Sequence, residues 1–249
     1  MLLAVAAFGL LVGAVLGLVG AGGAIIAVPA LVYVVGVPVA EAMSTSLVMA
    51  ASSSVAAVLP RLRHGINWRI ATTVGVVGIP AAFLGTAVNA ALPQPVVLLG
   101  FATLMIVAGI QMLRPRPSAS GERPPGRGWV WRAVLVGLAV GLLTGLLGVG
   151  GGFVIVPALV LLLRMPIGAA IGTSLIITIV NSIAGVIAHA GVGSVDWQIT
   201  VAFAAPAFLA SLIAARFATR LSGRMLQVAF AVLVLAIALL TIVRTILTW

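Results

Sequence analysis

Long apolar runs follow one another along this chain, separated by short polar breaks that carry nearly all of its arginines. Uninterrupted runs near or above 18 residues predict membrane-crossing α-helices. A membrane β-barrel would instead show alternating segments of about ten residues, and none is visible. Six runs predict ordinary helices: Val39–Leu59, Trp68–Ala91, Pro95–Leu113, Ile167–Ala190, Trp197–Phe217 and Met225–Leu247. Two others, from about Leu2 to Val35 and from about Trp131 to Leu163, contain a glycine cluster and a proline. They read "GLVGAGGAIIAVPALV" from Gly17 and "GLLGVGGGFVIVPALV" from Gly145. Each run is too long for one straight span of about 20 residues and too short for two.

The two interrupted runs are copies. Sliding the chain over itself by 128 positions places Gly17 on Gly145, Gly20 on Gly148, Gly22 on Gly150 and Gly23 on Gly151. Pro29 falls on Pro157, Pro38 on Pro166, Thr45-Ser46-Leu47 on Thr173-Ser174-Leu175, and Ser54 on Ser182. Slightly out of phase, Trp68 matches Trp197 and Pro80 matches Pro206. The stretch "RPRPSASGERPPGRG", rich in proline, glycine and charge, reads as the linker between the copies. The expected organisation is a first transmembrane repeat at 1–113, a cytoplasmic linker at 114–130 and a second repeat at 131–249.

Arginine placement decides how the interrupted run crosses, because positive residues in short loops collect on the cytoplasmic side. A single crossing gives parallel repeats, with nine arginines inside and four outside. A hairpin of two short helices gives inverted repeats, with twelve arginines inside and only Arg244 outside. The expectation is therefore an all-α, multi-pass protein of the cell membrane, made of two inverted repeats. Each repeat would hold a Gly-broken hairpin and three transmembrane helices, with both termini outside. Inverted repeats interrupted at corresponding positions are a pattern of secondary transporters.

Composition sharpens this picture. The 249 residues are 63% hydrophobic and 6% charged, against roughly 25% charged in soluble domains. The net charge of +10 comes from 13 arginines and three acids, and loop arginines explain it without nucleic acid. The apolar N-terminus has no basic stretch before it and is expected to be retained structure, not a cleaved signal. With no cysteine there is no disulfide, iron–sulfur cluster or thiol catalysis. Metal-ligand spacings and catalytic triads are absent, so neither an enzyme nor a cofactor or metal is expected.

The candidate chemistry lies in small polar residues. Gly20, Gly22 and Gly23 with Ala24, and Gly148, Gly150, Gly151 and Gly152, leave a ligand room to approach backbone N–H groups. The helix that resumes after each cluster points its positive end at the break, which suits an anion. Pro29 and Pro157 shape the returning helices. Thr45-Ser46 and Thr173-Ser174 open the next helix of each copy, and Ser53 corresponds to Asn181. Positions 46, 49–50 and 53 share a helical face, as do 174, 177–178 and 181. Hydroxyls and an amide there can bind a neutral or anionic ligand, or serve only as interhelical bonds. For Gly9-Gly13-Gly17 and Gly137-Gly141-Gly145, close helix packing is the better reading. Glu41, Asp196 and both histidines read as helix-end or loop residues, which leaves no interior proton relay.

The two glycine–proline segments, each followed by a proline and a Thr-Ser pair, resemble the sulfite exporter TauE/SafE family over nearly the whole chain. The resemblance implies transport of small sulfur-containing anions, sulfite or organosulfonates, with the glycine clusters and both prolines as signature positions. Ala24 departs from the fuller glycine pattern that Gly152 completes. Expulsion of one negative charge from an inside-negative cell gains about 2.3 kcal/mol per 100 mV, so export needs no coupling residue. The expected partners are a small anionic substrate and the lipid bilayer, and the chain is compatible with a homo-oligomer. Ion-coupled uptake and a non-transporting assembly protein are the competing readings.

Overall fold

Inside hydrocarbon the backbone must satisfy its own polar groups, and an unbroken helix does so within one segment. The computed structural model describes residues 2–19, 25–62, 65–113, 128–149, 152–189, 196–217 and 223–247, which contain helices and no strand. Gly20, Gly22, Gly23, Ala24, Gly150, Gly151, His64 and nearly all of the linker lie outside the described residues.

Ten α-helices are described: α1 Leu2–Val19, α2 Ala27–Ala30, α3 Val39–Val58, α4 Trp68–Ala91, α5 Gln94–Leu113, α6 Trp129–Leu147, α7 Gly152–Leu161, α8 Ile167–His189, α9 Trp197–Phe217 and α10 Gly223–Leu247. A π-helical turn, Leu31–Val35, extends α2, and a 3₁₀ turn, Leu59–Arg61, extends α3. Among the described residues, five helices (α3, α4, α6, α8 and α9) are long and apolar enough to cross a membrane. Large apolar side chains such as Val76 and Leu84 on α4, Val201 and Leu209 on α9 and Leu239 on α10 stand exposed, as a lipid-facing surface requires.

The interrupted runs fold as unequal arms, not as two short helices each. The first arms, α1 and α6, have 18 and 19 residues, whereas α7 has 10 and rises only about 15 Å. Both returning arms end in the same way. Gly36 and Arg164, one repeat apart, take positive φ (79° and 54°). In each half the next N–H then bonds back six residues at 3.1 Å, from Val37 to the Leu31 carbonyl and from Met165 to the Leu159 carbonyl. Pro38 and Pro166 follow, and their carbonyls accept the first helical bonds of α3 and α8 at 2.9 Å. The starts of α4 and α9 match as well, through side-chain caps from Asn67 to the Ile70 N–H and from Asp196 to the Ile199 N–H.

The halves hold each other. The first arm α1 packs on α9 of the second half, and α6 packs on α4 of the first. α3 packs on α9 while α8 packs on α4, and α3 also packs on α8 and α5 on α10. The closest of these contacts run along the glycine stripes. Added Cβ atoms at Gly9, Gly13 and Gly17 would overlap the carbonyls of Phe203, Ala207 and Ser211. Those at Gly137, Gly141 and Gly145 would meet the carbonyls of Val74, Gly78 and Ala82. Both stripes advance in step with their partners, so each pair runs parallel.

This contact predicts a contrast between two glycines. Gly141→Ala forces a methyl against the Gly78 backbone and should cost about 1–3 kcal/mol or more, read as a lower Tm in detergent. Gly100→Ala meets nothing within 4 Å and should be neutral or stabilising by up to about 1 kcal/mol. Equal effects would mean that the stripe is not the tight contact.

Candidate functional site

α3 and α8 form the innermost pair and are more deeply buried than α4, α6 or α9. Their Thr-Ser pairs face the opposite half. The Thr45 hydroxyl lies 2.9 Å from that of Thr200, in the first turn of α9. Thr173 accepts the Asn67 N–H, at the start of α4, at 3.0 Å. Both threonines are buried and engaged, so these two hydroxyls lock the start of one half's helix to the other half.

Ser46 reaches a break. Its hydroxyl bonds the Gly148 carbonyl and also lies 3.0 Å from the Met43 carbonyl. Gly148 ends α6 with φ +63° and sits directly on Met43, so a Cβ there would overlap that side chain. Ser174 bonds the Ile171 carbonyl at 2.8 Å within its own helix. Gly152 opens α7 and is buried, while Pro29 and Pro157 lie inside the two returning arms. The ends of the two first arms, α1 and α6, do not stand level. Gly148 touches α3 one turn from its start, whereas Gly17, near the end of α1, lies beside Ser211. The Ser211 hydroxyl donates to the Ser53 carbonyl at 2.6 Å, ten residues or roughly 15 Å further along α3.

Both helices of this pair also carry unmet hydrogen-bonding capacity. Ser53 and Ser54 on α3, and Thr178, Asn181 and Ser182 on α8, are fully buried. Their hydroxyls, and both ends of the Asn181 amide, have no partner. In apolar surroundings each such group costs about 1–3 kcal/mol, so the cluster is expensive unless something fills it. Thr178, Asn181 and Ser182 are spaced i, i+3, i+4 and share a face; their repeat counterparts are Ala50, Ser53 and Ser54. The Asn181 amide occupies the space that a side chain at Gly78 of α4 would take. The helices cross in opposite senses here: Gly185, near the end of α8, touches Leu47, near the start of α3.

No charged residue occurs in α3 between Glu41 and Arg61, nor in α8 before His189. The cluster therefore offers neutral donors in a dry setting, suited to orienting an oxyanion without trapping it. Among the described residues, no three His, Asp or Glu groups come together in a way that could hold a metal.

The sequence pattern of the family described as "Sulfite exporter TauE/SafE" matches residues 5–241 of this chain. The chain belongs to the TauE/SafE family. A protein of Xylella fastidiosa (strain 9a5c), named "Probable membrane transporter protein", is 35% identical over 243 residues, covering 94% of this chain and 92% of its own length. A Bacillus subtilis (strain 168) relative, "Probable membrane transporter protein YdhB", is 26% identical over 83% of this chain and 86% of its own length. A Methanocaldococcus jannaschii relative, also named a probable membrane transporter protein, is 25% identical over 88% and 87%. No solved structure matches. As a TauE/SafE member this chain is a multi-pass membrane transporter and not an enzyme.

Of the residues expected from sequence, Ser46 is brought to the Gly148 carbonyl, and Ser53 and Asn181 are buried with side chains that meet no partner. Thr178, on the expected face with Ser174 and Asn181, and the neighbouring Ser54 and Ser182 share that state. His189, expected as a helix-end residue, is only 4% exposed.

The threonine bridge gives its own prediction. In a double-mutant cycle of Thr45→Val and Thr200→Val, the two hydroxyls should show a coupling of about 0.5–1 kcal/mol in thermal unfolding. Additive effects would mean that this bridge does not join the halves.

Proposed function

We propose that this protein is a secondary transporter that moves a small sulfur-containing anion, sulfite or an organosulfonate, outward across the cell membrane. The observation that carries this reading is the buried, unpartnered polar cluster where α3 and α8 cross. A membrane protein that leaves five side chains unsatisfied at its centre keeps a place for a polar guest. Ser53 and Asn181 are the central contacts, joined by Ser54, Thr178 and Ser182.

The halves are two inverted repeats, 1–113 and 131–249, joined by a cytoplasmic linker at 114–130, with both termini outside. Three features support this: the exchanged helix pairs, the matched αL caps at Gly36 and Arg164, and the opposed senses of α3 and α8. The glycine clusters, with Gly20, Gly22, Gly23 and Ala24 in one copy and Gly148, Gly150, Gly151 and Gly152 in the other, offer backbone N–H groups to the passing anion in this reading. Ser46, bonded to the Gly148 carbonyl, stands at that approach, and Thr45 and Thr173 hold the halves in register. The membrane potential drives the anion outward once it reaches the cluster.

Replacement of Asn181 by Leu separates binding from folding. Sulfite or methanesulfonate flux in proteoliposomes should fall about 10- to 100-fold, the worth of one hydrogen bond to a charged ligand. The Tm should hold or rise, because an unpaired buried amide is removed. Unchanged flux, or a large loss of Tm, would overturn the assignment of this cluster as the binding site.

A further inference from the structure

His189 and Arg61 occupy the same position of the two repeats, 128 residues apart. Both reach back one turn to a carbonyl. The Arg61 Nη1 donates to Ala57 at 2.9 Å, and the His189 Nδ1 lies 3.0 Å from the Gly185 oxygen. His189 is buried at the end of α8, with its Nδ1 also 3.3 Å from the Thr86 hydroxyl. That hydroxyl stands 3.1 Å from the Ala82 carbonyl and 3.5 Å from that of Gly145, one turn before the Gly148 break. Asn89, a turn further along α4, donates to the Leu146 carbonyl at 2.6 Å.

This network assigns the tautomer. A carbonyl beside Nδ1 requires the proton there, so the neutral ring presents Nε2 as a bare lone pair. Nε2 is buried and has no partner. Protonation turns that orphan acceptor into an N–H donor carrying charge, and what it then lacks is an anion.

We propose that His189 is an anion-binding station at this end of the path, serving the same small oxyanion that passes between α3 and α8. The proposal rests on the transport reading above. The path then carries a fixed cation, Arg61, beyond the end of α3, and a titratable one at the matched end of α8. Of the elements packed on α8, α3 brings Glu41 in its first turn, and Arg61 past its far end. α4 brings Arg69 and α6 brings Arg132, each in its first turns and remote from Thr86 and Gly145; α7 carries no ionisable residue.

Methanesulfonate is a suitable probe because its charge does not change across the histidine range. Its flux in proteoliposomes is compared at about pH 5 and about pH 8, the limits of the range over which histidine changes charge. The station predicts at least about fivefold higher flux at the lower pH for the natural protein. His189→Gln abolishes the rise, and His189→Arg gives high flux at both values. A rise that survives His189→Gln, or one that vanishes in Glu41→Gln, overturns the station and leaves the transport reading standing. No flux of methanesulfonate or sulfite at either pH, with no thermal stabilisation by either anion, overturns both. If His189→Gln fails to fold, Thr86→Val serves in its place by freeing the ring; an unchanged pH profile in that variant counts against the station.

Discussion

The rest of this structure depends on backbone-to-backbone contact along two glycine stripes. Lipid tails are as apolar as leucine side chains, so hydrophobicity alone gives helices in a membrane little reason to associate. Close approach supplies dispersion contacts and fixes register instead. Gly9, Gly13 and Gly17 admit the carbonyls of α9, and Gly137, Gly141 and Gly145 admit those of α4. Because each stripe binds a helix of the opposite half, neither half is complete without the other.

That exchange determines what lies at the centre. With α1 and α6 committed to outer partners, α3 and α8 are left to face each other, enclosed by α4 and α9. Ser53, Ser54, Thr178, Asn181 and Ser182 meet no partner there, while nearby hydroxyls that serve packing (Thr45, Thr173, Ser211) are all bonded. Under the proposed function, the division between satisfied and unsatisfied groups separates scaffold from site, and neutral donors suit a cargo that must be both admitted and released.

Much of this was legible in the residues. α4 and α9 begin and end where the apolar runs do, at Trp68–Ala91 and Trp197–Phe217. The repeat offset of 128 reappears in three dimensions as matched caps and matched prolines. The family could also be read from its glycine–proline segments. Other features could not be read. Periodicity is nearly silent in helices that are apolar on all sides, so which partner each stripe grips was hidden. The unequal arms were hidden too, because a glycine cluster marks a break without fixing its depth. The level of Gly148, one turn into α3, comes from a contact with Met43 that is remote in sequence. His189 looked like a helix-end residue because nothing local records the packing of Thr86 against it.

The proposed inversion of the two halves can be tested directly in a chain that has no cysteine of its own. Ala40 and Gly168 occupy the same repeat position, the second residue of α3 and of α8, and both are exposed. A single cysteine at each would be challenged with a membrane-impermeant maleimide in intact cells, then again after permeabilisation. Inverted halves predict that position 40 labels from outside and position 168 only once the membrane is opened. Labelling of both from the same side would contradict the account.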